Sequence, residues 1–313
     1  MKAYFNFTTY ILILLNLYSC NPDVFIDDFR SSTSQLTLDG NGDVAVVRFK
    51  SSNWNVLGIH SFDSNFSYSY KVYDENGHLL TEDQFPHLKG FGKIVCDEKL
   101  TDFVIERSDP NELKITVGEN VRPALFKLGL LVGNEYETQE IYVDILPSDR
   151  YVFDHITYSL NGYHYARKSE DKKSLIVNNT TDFPTSVVFT PYEDVHHEVT
   201  FQSNSSEAFQ LLGEDKLTIE IPSIEDRRLV MKGVQAQYVS KLQALPFPNT
   251  EQGTISVAPH TQKRLTLLLM YDWFETEYTL YAFHPKTNKQ RIITGVLESK
   301  MPESYFIKRE DIK

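Results

Sequence analysis

Gln35-Leu36-Thr37-Leu38-Asp39-Gly40-Asn41-Gly42-Asp43-Val44-Ala45-Val46-Val47-Arg48-Phe49-Lys50 sets the fold class. Ala45, Val47 and Phe49 recur every second residue, so they share one face of an extended strand, and this is the period of a sheet with one wet side. Asn41-Gly42 supplies the positive φ angles of a type I′ turn, which predicts a hairpin there. The same dipeptide predicts hairpins at Asn76-Gly77 and Asn161-Gly162. Lys216-Leu217-Thr218-Ile219-Glu220-Ile221 alternates in the same way, with Leu217, Ile219 and Ile221 on the inner face. No helical period runs convincingly beyond two turns. Glu225–Tyr238 is the best helix candidate, and Gly233 weakens it. The 18 Tyr, 20 Phe and 2 Trp favour sheet, so the expected class is all-β.

A chain of 313 residues is long enough for two cores. Pro147-Ser148-Asp149-Arg150 is a polar, proline-led hinge. It separates an expected first domain, residues 35–147, from a second, residues 151–313. The net charge of −12 repels phosphate backbones and argues against nucleic acid as a partner. Only Cys20 and Cys96 are present. Cys96 follows Ile94-Val95 in an apolar run and is expected to be a buried structural thiol. Lys2, a short apolar run from Tyr10 to Leu17, and the small residue Ser19 before Cys20 make a secretory signal too short to span a bilayer. Residues 20–34, with Asp23, Asp27 and Asp28, are expected to form a solvated tether.

The order apolar core, small residue, cysteine resembles a bacterial lipoprotein signal. That resemblance implies removal of residues 1–19, acylation of Cys20, and lipid anchoring at the bacterial outer membrane. Acidic residues soon after the cysteine imply a position facing the cell exterior. Residues 35–50, then Ser51-Ser52-Asn53-Trp54, resemble the start of BACON-type immunoglobulin-like domains of Bacteroidota surface proteins. Leu113–Asn120 and Ile141–Ile145 are similar to that family's later strands. The resemblance implies two tandem β-sandwich, immunoglobulin-like domains. The second domain weakly resembles the aerolysin-like (epsilon-toxin/Mtx2) β family. The residues concerned are Asn178-Asn179-Thr180, a long strand Thr185–Phe201, Ile219-Glu220-Ile221-Pro222, Ile255–His260, and the strand pair Leu265–Trp273 and Glu277–Phe283. A pore-former needs an insertable hairpin with strands of about 9–11 residues. The segment around Pro222 reads as short, proline-broken and charged at Glu225-Asp226-Arg227-Arg228, and charge in lipid is costly.

Asp39–Asp43 is not a calcium loop, because Val44 and Lys50 stand where an EF-hand needs Gly and Glu. In Glu193-Asp194-Val195-His196-His197-Glu198 the two histidines point to opposite faces of a strand, so they cannot share a metal. No G-x-S-x-G elbow, Walker loop or dinucleotide fingerprint occurs. Glu275 and Glu277 share a strand face at a spacing glycosidases use, but such pairs arise by chance in a chain with 43 acids. No catalytic residue, metal or cofactor is therefore assigned. Trp54 is expected in the core. Trp273, with Tyr271 and Glu275 on the same face, is the candidate ligand contact, since a flat ring suits the C–H face of a sugar. The expected role is non-catalytic. It is adhesion, binding of a polysaccharide, host glycan or surface protein, or spacing from the membrane to which Cys20 anchors the chain. Aerolysin-like pore formation and a glycan-acting hydrolase are the alternatives.

Overall fold

A computed structural model describes residues 28–62, 68–205, 207–212 and 217–312. Cys20, the signal segment and the start of the tether lie outside the described residues. The all-β expectation holds, and the one helix among the described residues is a single turn, α1 (Ala208–Leu211). The chain divides into two compact units between Ser148 and Asp149.

The first unit contains β1 (Gln35–Leu38), β2 (Asp43–Arg48), β3 (Asn55–Ser61), β4 (Tyr70–Asp74), β5 (Leu79–Asp83), β6 (Gly92–Asp97), β7 (Thr101–Asp109), β8 (Glu112–Asn120), β9 (Phe126–Gly133) and β10 (Thr138–Ile145). They form a four-stranded sheet, β1-β10-β9-β3, and a six-stranded sheet, β2-β8-β7-β6-β4-β5. Alternating apolar residues from both sheets make one continuous core, including Val47, Ile105, Ile115, Leu130 and Val143. Trp54 lies in it, 1% exposed, with Phe49 stacked at 4.1 Å. Cys96 is equally buried, and burial with nearby carboxylates pushes its thiol up to about 12, so it is inert.

Two of the three predicted hairpins are corrected. Asn76-Gly77 does join a pair, β4 and β5. Asn41-Gly42 makes a turn, with Gly42 at φ 106°, but its flanking strands enter different sheets: β1 pairs in parallel with β10, and β2 pairs with β8. Local turn chemistry fixes the bend and not the partner. The tether is also shorter than expected. Phe29 is fully buried against Phe49, its carbonyl accepts the Lys50 N–H, and Gln139 holds Ser31. An apolar Phe29 within reach of a core does not stay in water.

The second unit contains β11 (Val152–Asn179), β12 (Thr185–Phe189), β13 (His196–Ser203), β14 (Thr218–Glu225), β15 (Arg228–Gln237), β16 (Gln243–Pro246), β17 (Gly253–Val257), β18 (Thr261–Phe283) and β19 (Gln290–Asp311). Its main sheet runs β11-β18-β19-β13-β16. The first three strands have 28, 23 and 22 residues, against about 5–6 in an ordinary strand, and β18 alone spans roughly 75 Å at about 3.3 Å per residue. The expected strand pair Leu265–Trp273 and Glu277–Phe283 is one strand. The third Asn-Gly, at Asn161-Gly162, is a bulge in β11, because β18 pairs continuously on both sides of it. The expected long strand Thr185–Phe201 is broken instead, at a turn holding Pro191 and a left-handed Asp194 (φ 57°).

The buried side of β18 switches along its length. Leu265 and Leu267 pack on Phe189, Ile255 and Val257 of the small β12–β17 sheet, and Leu269, on the same face, packs on Tyr192 and Val195. Beyond Tyr271 the opposite parity is buried, through Phe274, Tyr278, Leu280 and Ala282. The register shift between Met270 and Tyr271 in the β18–β19 pairing marks the crossover.

His197 and His196 point to opposite faces as alternation requires, His197 buried and His196 exposed. His197 Nε2 lies 2.7 Å from the Ser299 hydroxyl, and burial pushes its pKa from 6.5 down to about 4. Because the folded value lies below the unfolded one, the stabilisation is complete above pH ~6.5 and is lost as pH falls toward about 4. Urea midpoints at pH 7 and pH 4.5 should register a loss of up to about 3 kcal/mol. His197→Gln should flatten the decline, and an identical decline in the variant would assign it to other groups.

Candidate functional site

The feature that stands apart in the second unit is the β14–β15 hairpin. It forms its own two-stranded sheet, and among the described residues it shares no backbone ladder with the long sheet. Asp226 and Arg227 both have positive φ (48° and 62°), the geometry of the two central residues of a tight hairpin turn. The helix expected over Glu225–Tyr238 is therefore a turn and a strand. Gly233, at φ 75°, sits in the bulge that follows the Ile221–Val234 pair. Pro222 is at the same irregularity, where its missing N–H costs least.

Cross-strand pairing sorts the hairpin into two faces. Ile219 pairs with Ala236, Ile221 with Val234 and Ser223 with Val230, giving a nearly apolar face. The other face is polar at its base, Thr218 with Gln237 and Glu220 with Gln235. Toward the turn it becomes apolar, Pro222 with Met231 and Ile224 with Leu229. Glu225-Asp226-Arg227-Arg228 is the turn itself, and its two acids and two bases cancel.

The hairpin packs against β11. Ile219, Ile221, Leu229 and Ala236 are buried, each large aliphatic contributing about 1.5–3 kcal/mol at full burial. Polar latches are few. The Tyr158 hydroxyl donates to the Glu220 carbonyl at 2.9 Å, and the Tyr163 hydroxyl donates to the Arg227 carbonyl. At the base, the Tyr238 and Tyr278 hydroxyls lie 3.0 Å apart within an aromatic group that includes Phe201. Burial raises the pKa of Tyr158 and Tyr238 well above the ordinary phenol value, so both stay neutral.

Tyr271, Trp273 and Glu275 do share a strand face, but the Trp273 ring is not an open platform. It is 8% exposed, with the Lys168 ammonium 3.5 Å from its centroid, His164 at its edge, and its N–H donated to Glu298 at 2.7 Å. Lys300 covers Tyr271 and pairs with Glu170 at 2.7 Å and Glu198 at 3.5 Å. This is a cross-strand charge lattice holding the middle of the long sheet. Among the described residues no group of three or more metal-ligating side chains converges.

No family model matches the chain, and no curated protein matches it. Several solved structures are similar to it, three of them as follows. The lamprey immune protein is 10% identical with a TM-score of 0.42, covering 87% of this chain and 99% of that one. The β-pore-forming protein Mpp75Aa1.1 of Brevibacillus laterosporus is 12% identical with a TM-score of 0.30, covering 61% and 81%. An aerolysin-like protein of Bombina maxima is 9% identical with a TM-score of 0.27, covering 51% and 98%. The chain is thus weakly similar in structure to aerolysin-like β pore-forming folds.

Proposed function

We propose that this chain is a β pore-forming protein whose β14–β15 hairpin leaves the long sheet and joins hairpins from other copies in a transmembrane barrel. One observation carries it: a hairpin with strands of 8 and 10 residues, one face apolar, lying on a long sheet without sharing its ladder. Among the described residues, release breaks no backbone pairing with the sheet. The apolar residues that hold the hairpin down would be buried again in lipid, so their hydrophobic stabilisation is largely retained. The exposed edges of a lone hairpin cannot stay unpaired in a bilayer, which demands closure into a barrel of several copies. The tip charges, an obstacle when read as part of the span, occupy the turn and would emerge in water on the far side. No helix among the described residues is long and apolar enough to cross a membrane. Acylation of Cys20 would hold the chain at the bilayer and raise its local concentration.

Vesicles loaded with a self-quenched dye test this. The purified chain is expected to release dye with a steep dependence on protein concentration and to leave ring-shaped oligomers in the membrane. Intact vesicles across neutral and anionic compositions would overturn the proposal and return weight to a non-catalytic binding or spacing role.

A further inference from the structure

We propose that the outer face of the four-stranded sheet in the first unit binds a neutral sugar ring, seated on Phe62 and Tyr142. The site does not rest on pore formation. Phe62 and Tyr142 are 53% and 43% exposed, with ring centroids 5.9 Å apart. They line a shallow depression of about 270 Å³ with Gln35, Lys127, Leu128 and Asp144. That volume suits one saccharide unit.

Sheet register brings these residues together from positions far apart in sequence. Tyr142 on β10 is opposite Gly129 on β9, and Gly129 is opposite His60 on β3. Gly129 leaves the middle strand without a side chain, and the space is filled by His60 and Glu140. A Cβ there would come within 2.3 Å of the His60 ring and 2.8 Å of the Glu140 carboxylate. His60 Nε2 lies 3.1 Å from Glu140, and the Tyr142 hydroxyl donates to the other oxygen of Glu140 at 2.7 Å. The His60 ring also meets the edge of Phe62 at 4.9 Å. Both exposed rings are therefore held in orientation by one chain, Phe62–His60–Glu140–Tyr142.

The chemistry around them selects the ligand. Aromatic faces carry partial negative charge and attract the C–H face of a pyranose. Gln35 and Asp144 are linked at 3.3 Å, and with Lys127 they place donors and acceptors of both kinds at the rim. Lys127 and Asp144 balance one another, which disfavours an anionic ligand. Few polar groups around an apolar floor is the usual make-up of a small-ligand site.

The purified chain is to be probed on an array of neutral and sialylated glycans, then by calorimetry with the methyl glycoside of the best terminal sugar. Binding to a neutral glycan is expected, at least tenfold weaker in Phe62→Ala and in Tyr142→Ala and unchanged in Trp273→Phe. Tyr142→Phe, which keeps the ring and drops only the Glu140 bond, should fall between. Because both rings are exposed, far-UV circular dichroism of the alanine variants should match the parent chain. No binding up to about 10 mM sugar, binding that survives both alanine variants, or binding confined to sialylated glycans would each overturn the proposal. Dye release from glycan-free vesicles is scored separately, so failure here and failure of pore formation are distinguishable.

Discussion

Val234→Arg is expected to abolish dye release, while Gln235→Arg one residue away should leave it intact. Val234 pairs with Ile221 on the apolar face and Gln235 pairs with Glu220 on the polar face, so in a barrel the first would meet lipid and the second the lumen. Arginine on the lipid face near the midplane costs about 2–4 kcal/mol per chain, and a ring multiplies that by its copy number. Release should therefore fall far more than tenfold. With the hairpin packed as in the structure, Val234 is only half-buried. An arginine there can lay its stem along the hairpin and keep its head in water, so the folded state changes little. Equal urea midpoints for both variants would confirm that folding is not the cause. Equal release from both would show that the hairpin does not cross the membrane.

Trp54→Ala should be the most damaging single change to the first unit. The ring is stacked on Phe49, and the buried Arg107 guanidinium lies 4.0 Å from its centroid on its way to the Trp54 and Ser52 carbonyls. Truncating a buried Trp costs about 3–5 kcal/mol, and losing a desolvated cation–π contact adds about 2. Against a typical domain stability of about 5–15 kcal/mol, that is enough to leave the unit marginal. Hydrogen exchange should show faster exchange of the β7, β8 and β9 amides together, while β18 and β19 keep their protection. Unchanged protection in β7–β9 would mean that the cavity collapses or fills with water at little cost.

Both predictions depend on features of different legibility. Period-two alternation is a local property, so the all-β class, the burial of Trp54 and Cys96, and the opposed His196 and His197 could be read directly from the chain. The Asn76-Gly77 hairpin was legible for the same reason, since its strands pair with each other. Asn41-Gly42 has equal turn chemistry but feeds two sheets, and Asn161-Gly162 is absorbed into β11. Helical promise over Glu225–Tyr238 gave way to a strand because Arg228–Gln237 found β14 as a partner.

The sequence by itself determined that the chain folds as sheet and, within its alternating stretches, which residues prefer to be dry, because those preferences act between neighbours along the chain. Tertiary structure alone decided which strand lies beside which. That choice put Lys168 over Trp273, left the β14–β15 hairpin without a ladder to the long sheet, and set Phe62, His60, Glu140 and Tyr142 side by side. Such contacts join residues up to about a hundred positions apart, and the energies that select them exist only once both sheet faces have been buried.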